Sequence, residues 1–313
     1  MGLEHILVAD EQFISTYPTG LKDFQDWECA RDLFDRRKSS RRRKDGTITA
    51  IAKTLGRSCQ TVYQWLVKGN KPPALKYLAQ ARRIGLMPFG LDNEKFLYIN
   101  KFFAYVFWTG SIGRKYQIGV NLPRKPGKSL NNMLNKKLRI NSTYREESSC
   151  IACNRNGPFY GRVFHQLGLP VGGGRKAGQF FEMPVYVRRL VEIMKDEDGQ
   201  KKYRTTARAA LEDFMLILLK TRKHVSNSSN YWSVALHCNK NKKIAEKLGE
   251  DVIRIFRALF PRSGITKRNL GNKPLYHKKR KNWNSRIYLR QENLQRLEKY
   301  YPEFYRRIDD NRV

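Results

Sequence analysis

The residues of this 313-residue chain best placed to do chemistry lie at the ends of two apolar runs. The first is Phe102-Phe103-Ala104-Tyr105-Val106-Phe107-Trp108-Thr109-Gly110-Ser111-Ile112, and the second extends from Phe214 through Leu219 to Ser226. Each reads as a helix that ends in a short polar turn and enters a strand. The helices finish near Thr109 and Arg222, with Lys220, Lys223, Arg114 and Lys115 close by in sequence. Such a set suits holding phosphate better than cutting it. Two-metal phosphodiester hydrolysis needs carboxylates to neutralise divalent cations and to position the attacking water. A threonine is one weak neutral ligand, and an arginine is a permanent cation that repels a metal. No Asp or Glu occurs between Glu94 and Glu146, or between Asp213 and Glu246. The expectation is therefore no catalytic residue, no metal and no cofactor there, only a positive floor for phosphates.

Two further patterns invite chemistry. Cys150-Ile151-Ala152-Cys153 has zinc spacing, but a site needs a second ligand pair. His165, His237 and Cys238 are the candidates, and they show no paired spacing. Gly172-Gly173-Gly174-Arg175-Lys176 lacks the Gly-Lys-Ser/Thr ending of a phosphate loop and reads as a flexible basic loop.

Charge widens the case for a polyanion. The chain carries a net +34. Residues 1–45 hold nine basic and nine acidic side chains, so the whole excess lies in 46–313, with 53 basic against 19 acidic. Neutralised phosphates release counterions, which makes nucleic acid the expected partner. No apolar run reaches the ~18–20 residues that span a bilayer, and no membrane partner is expected. The N-terminus lacks a basic-then-apolar leader, and five dispersed cysteines suit reduced thiols, so a cytoplasmic, nucleoid-associated location is expected.

The elements that must position these residues fall into segments. Residues 1–45 end in a basic run, Arg36 to Lys44, open to reading as a charged linker or as an arm that tracks phosphates or a minor groove. Residues 46–93 read as a helix-turn-helix domain. Ile51, Ala52 and Leu55 form one inner face, Gly56 the turn, and Ser58 the N-cap of a second helix burying Val62, Trp65 and Leu66. Arg57 stands where such motifs more often hold an apolar residue. A third helix is expected from Ala74 to Ile84. If the unit docks as such motifs do, Cys59, Gln60, Thr61, Tyr63 and Gln64 face the groove, with Lys53, Lys68 and Lys71 near phosphates.

Segment 94–185 forms a first helix-and-strand repeat, 186–206 a connector charged at Asp196–Arg204, and 207–313 a second repeat with a C-terminal helix. The order αββαββα is expected twice, with about 112 residues between motif starts. The fold class is therefore α+β. Strand alternation nominates Arg114, Lys115, Gln117, Arg124, Lys125, Arg139 and Arg145 from the first repeat. The second nominates Arg222, Lys223, Tyr231, Ser233, His237, Lys267, Arg268, Lys273, Tyr276, Lys278, Lys279, Arg280, Lys281, Arg286 and Arg290. Residues 252–291 hold twelve basic side chains and no acid, which concentrates the expected contacts there.

The paired motifs resemble the LAGLIDADG helices of homing endonucleases, which read "LAGLIDADGSV". Val163-Phe164-His165-Gln166-Leu167-Gly168-Leu169-Pro170-Val171-Gly172 resembles the "LLxxLGVPxG" stretch that closes such a repeat, and Pro184 resembles the proline opening the inter-repeat helix. The likeness covers roughly residues 46–301. It implies two saddle-shaped antiparallel sheets over a DNA major groove. It also implies a metal-binding acid at the foot of each motif helix, where this chain has Thr109 and Arg222. The family's helices pack through small residues; this chain supplies Ala104 in one and Leu216 and Ile217 in the other, so the crossing should be wider or filled differently. Together these readings predict a catalytically inactive scaffold that binds double-stranded DNA sequence-specifically. It would act as a transcriptional or chromosomal regulator, as a monomer with internal pseudo-twofold symmetry. The alternative is RNA binding, either maturase-like or ribosome-associated.

Overall fold

In the computed structural model, the residues described are 5–38, 44–172, 182–225, 231–239, 241–271, 274–277 and 282–309. The molecule is α+β and divides into two compact units, Val8–Phe89 and a larger one formed by Met1–Leu7 with Gly90–Val313. Chain passage between them occurs at two short strands, β1 (Ile6–Val8) and β2 (Phe89–Gly90).

The smaller unit holds α1 (Asp10–Ser15), α2 (Gly20–Lys38), α3 (Lys44–Leu55), α4 (Cys59–Leu66) and α5 (Pro73–Arg83). Gly56 makes the turn between α3 and α4 with φ +61°, a left-handed backbone that a Cβ would strain. Ser58 caps α4, its hydroxyl accepting from Thr61 N at 3.1 Å. Ser58→Ala is expected to destabilise this unit by about 1 kcal/mol, with Ser58→Asp close to the parent, as urea denaturation of the full chain would read it.

The sequence boundary at residue 45 does not survive. Ala30 and Phe34 of α2 share one core with Ile48, Ile51, Ala52 and Val62, so α2 belongs to the helix-turn-helix unit. Arg57, the departure in the motif, explains itself the same way. Its guanidinium reaches Asp23 and Asp26 of α2, each at 2.7 Å, and those partners hold its pKa above the ordinary arginine value. A polar residue fits because α2 supplies the charges that pair it.

The larger unit begins with α6 (Phe96–Thr109), β3 (Gly110–Ile112) and β4 (Ile118–Asn121). Then come α7 (Arg124–Leu138), β5 (Ser142–Arg145), β6 (Cys150–Cys153) and α8 (Gly157–Gln166). After α9 (Val185–Lys195) the order recurs as α10 (Lys201–Arg222), β7 (Lys223–Val225), β8 (Tyr231–Asn239) and α11 (Lys242–Leu259). It closes with β9 (Leu275–His277), β10 (Asn282–Arg290), α12 (Gln291–Tyr300) and α13 (Pro302–Asp309). The two four-stranded sheets have the same strand order, β3-β4-β6-β5 and β7-β8-β10-β9.

Every residue from Phe102 to Trp108 is buried, as is every one from Phe214 to Leu219. A helix apolar on all sides must be enclosed on all sides, which makes α6 and α10 the centre of the unit. Their contact is filled by aromatic rings: Trp108 and Phe107 lie 5.2 and 5.6 Å from the Phe214 ring centroid. Polar side chains bracket it, with Asn100 Nδ2 donating to Ala210 O at 2.9 Å and Trp108 Nε1 to Phe214 O at 3.2 Å. Asn100 is 1% exposed, and Tyr186 Oη donates to its Oδ1 at 2.8 Å, so the buried amide is satisfied. Gly110 then lets α6 turn straight into β3, because a Cβ there would sit 2.6 Å from Gly119 O.

The segment 186–206 is largely helical, in α9 and the start of α10, because Val187, Leu190 and Val191 are buried. The α7 helix starts at Arg124, since Pro126 in its first turn forfeits no helical hydrogen bond. Two helices, α12 and α13, stand where one C-terminal helix is expected, and α13 buries Phe304 and Ile308. No helix among the described residues is long and apolar enough to cross a membrane.

Candidate nucleic-acid interface

In the smaller unit, α4 presents Cys59, Gln60 and Tyr63 to solvent while Val62 is buried. Lys53, Lys68 and Lys71 are exposed beside it. Two of the nominated readers are engaged within the unit. Thr61 shares a 2.8 Å hydroxyl contact with Ser58, and Gln64 Oε1 accepts from Asn70 Nδ2 at 2.6 Å. Adenine would have to compete with that contact for the Gln64 amide, so Gln60 is the better base reader of the pair.

The helix feet correct the expected phosphate floor. Arg222 Nε donates to Trp108 O at 2.9 Å, and its Nη2 donates to the same carbonyl. That carbonyl is among the last four of α6, which have no partner inside the helix, and it lies at the negative end of the helix dipole. Arg222 therefore ties the end of α10 to the end of α6. His237 of β8 reinforces the join, its Nε2 donating to Phe107 O while its Nδ1 lies 3.4 Å from Arg222 Nη2. His237, nominated for the nucleic-acid face, is 8% exposed and faces the core. Thr109 Oγ1 donates to Tyr105 O at 2.9 Å, a bond internal to the helix. Lys223 sends its Nζ to Ile308 O at 3.2 Å and over the Trp232 ring at 4.4 Å. These cations hold the protein together.

Burial first, and Arg222 second, depress the His237 pKa from 6.5 to about 3. The native state therefore favours the neutral ring, and the unfolded chain binds the proton more tightly. Stability from this group is complete above pH 6.5 and drains away as pH falls toward 3. A His237→Gln variant should show its largest stability deficit at neutral pH and a smaller one in acid. Urea midpoints of parent and variant at about pH 7 and about pH 4.5 would measure this.

The outward face of the first sheet is small and neutral along its central row. Cross-strand register places Ser111, Gly119, Ala152 and Thr143 in one row through all four strands. The row beside it is Asn121, Cys150 and Arg145. Ile118, Val120, Ile151 and Cys153 point inward. The cations sit at the rim: Arg114 and Lys115, beside Gln117, in the β3–β4 turn, Arg124 and Lys125 in the first turn of α7, and Arg139 at its left-handed C-cap. Arg124 also lies 3.3 Å from Glu146, a neighbour that offsets its charge. Strand alternation does put this face outward, but the strands themselves carry few of the basic groups expected on it.

The second sheet's outward face is different. Tyr231 of β8 pairs in register with Arg290 of β10, Ser233 with Tyr288, and Ala235 with Arg286. Tyr231, Arg286, Tyr288 and Arg290, with Arg268, Leu270, Gly271 and Leu275, line an open cleft of about 540 Å³. Arg268, Arg286 and Arg290 are exposed, whereas Lys267 pairs with Glu250 at 3.1 Å. Lys273, Lys278, Lys279, Arg280 and Lys281 lie outside the described residues, as does most of the glycine-rich loop at 172–176.

Sequence reasoning passed over the small-residue row and Tyr288. Both were written in period two: Ile118-Gly119-Val120 alternates large and small, and Arg286-Ile287-Tyr288-Leu289-Arg290 puts three readers on one face.

The two thiols of Cys150-x-x-Cys153 cannot grip one ion, because strand residues three apart point to opposite faces. Cys153 is buried, and burial pushes its pKa up to about 12, keeping the thiol protonated. Among the described residues no group of three His, Cys, Asp or Glu side chains could hold a metal. Neither a protein-family model nor a curated protein matches this chain.

Proposed function

We propose that this chain is a sequence-specific double-stranded DNA-binding protein, built on a LAGLIDADG-like body that has no cutting chemistry, and that it regulates transcription or chromosome organisation at the nucleoid. The observation that carries the reading is the α4 face: Cys59, Gln60 and Tyr63 stand in solvent on a helix capped by Ser58, in a stretch without one acidic residue from 46 to 91. A helix presented in this way has the width and the donors to read base edges in a major groove. Support for the larger unit comes from its basic rims and the acid-free sequence around both helix feet. An arginine occupied by a helix carbonyl, at a position where the resembled motif carries its acid, supports binding without cleavage. Two repeats in one chain allow a monomer to read a long asymmetric site.

Selection of bound fragments from a random duplex pool tests the reading. Convergence on one motif supports it; an unenriched pool, or reproducible cutting of plasmid with Mg²⁺ or Mn²⁺, overturns it. On the selected site, Gln60→Ala should relax preference at one position by ~1–3 kcal/mol, and Gln64→Ala should cost less. Equal losses on selected and random duplexes would remove Gln60 from base reading.

A further inference from the structure

The two sheets offer one partner two different surfaces. On the first, the central row across the strands is Ser111, Gly119, Ala152 and Thr143, with nothing that projects. On the second, Tyr231 and Tyr288 stand as diagonal neighbours on adjacent strands, half-buried, their ring centroids 5.6 Å apart and their planes at 72°. An edge-to-face pair leaves a ring face uncovered. Around it stand the exposed guanidinium groups of Arg268, Arg286 and Arg290, and among the described residues no carboxylate lines the cleft. Among the described residues none of the three arginines forms an ion pair.

A regular duplex is repetitive in shape and has no base free to meet a ring. Exposed aromatic faces next to phosphate-binding cations match a nucleotide whose base has left the stack. We propose that the cleft over β8 and β10 takes one unstacked nucleotide, with its base against Tyr231 or Tyr288 and its flanking phosphates on Arg268, Arg286 and Arg290. The inference rests on the nucleic-acid reading above and adds a feature of the target: over the second sheet the bound strand is distorted or carries an unpaired base. The smooth first sheet holds the regular part.

The test uses two fluorescently labelled duplexes of one sequence, one fully paired and one with a single central unpaired thymidine, titrated with the full chain. The bulged duplex is expected to bind about tenfold more tightly, the order of one base stacked on an aromatic ring. The double variant Tyr231→Ala/Tyr288→Ala should bind both duplexes alike, at the affinity of the parent for the paired one. The corresponding double phenylalanine variant should keep the preference, since stacking needs the ring and not the hydroxyl. Equal affinity of the parent for both duplexes would overturn the inference and leave duplex binding standing. So would an equal loss on both duplexes in the alanine variant, because the rings would then serve the fold or the backbone. Failure of the parent to bind either duplex would overturn the DNA reading and this inference with it.

Discussion

Arg222→Asp is expected to lower the stability of the larger unit by about 3 kcal/mol or more, although it writes back the acid that the resembled motif carries. The arginine gives two charged hydrogen bonds to Trp108 O, a type worth ~1.5–3 kcal/mol each. Aspartate removes both and adds a negative charge beside the carbonyls of Phe107 and Trp108, at the end of α6 that is already negative. It also takes from the buried His237 the cation that faces its Nδ1. No metal is gained, because the matching position is Thr109, whose hydroxyl is spent on Tyr105 O. Urea denaturation should rank parent above Arg222→Lys, then Arg222→Ala, then Arg222→Asp. An aspartate variant as stable as the parent would refute the role assigned to this side chain.

Raising salt from about 50 to about 200 mM is expected to weaken duplex binding roughly 10³- to 10⁵-fold, the loss for six to ten neutralised phosphates. The structure divides the nominated cations into those able to contribute and those already employed. Arg114, Lys115, Lys125, Arg139, Arg145, Arg268, Arg286 and Arg290 are exposed. Arg222 and Lys223 are bound to backbone carbonyls, and Arg124 and Lys267 sit against glutamates. Replacing an exposed cation such as Arg145 with glutamine should reduce the slope of log K against log salt by about one. Lys223→Gln should leave that slope unchanged. A slope near zero for the parent would mean that the charge of +34 serves something other than phosphate contact.

The α+β class and most elements were legible in the sequence because their signals are local. Ser58 as an N-cap, Gly56 as a turn and the fully apolar run at 102–108 each act within a few residues of themselves. What escaped depends on distant partners. Arg57 looked anomalous until Asp23 and Asp26 were placed beside it. Arg222 looked like a phosphate ligand because its net charge is visible in the sequence and the Trp108 carbonyl it caps is not. His237 alternates correctly along β8, but the same strand carries it under α6, where alternation alone cannot distinguish groove from core. The cleft arises only when β8 and β10 pair, which brings Tyr231 to Tyr288 across 57 positions of sequence.

The central claim is that this chain holds duplex DNA. Its most direct test is equilibrium competition at one fixed salt concentration, with the labelled selected duplex displaced by unlabelled DNA of the same sequence, by the same sequence as duplex RNA, and by structured cellular RNA. For a chain that holds duplex DNA, the DNA duplex should compete at least tenfold better than either RNA, with the advantage reduced by Gln60→Ala. Displacement by RNA at equal or lower concentration would contradict it, and would make this a protein that binds RNA on the same basic surfaces.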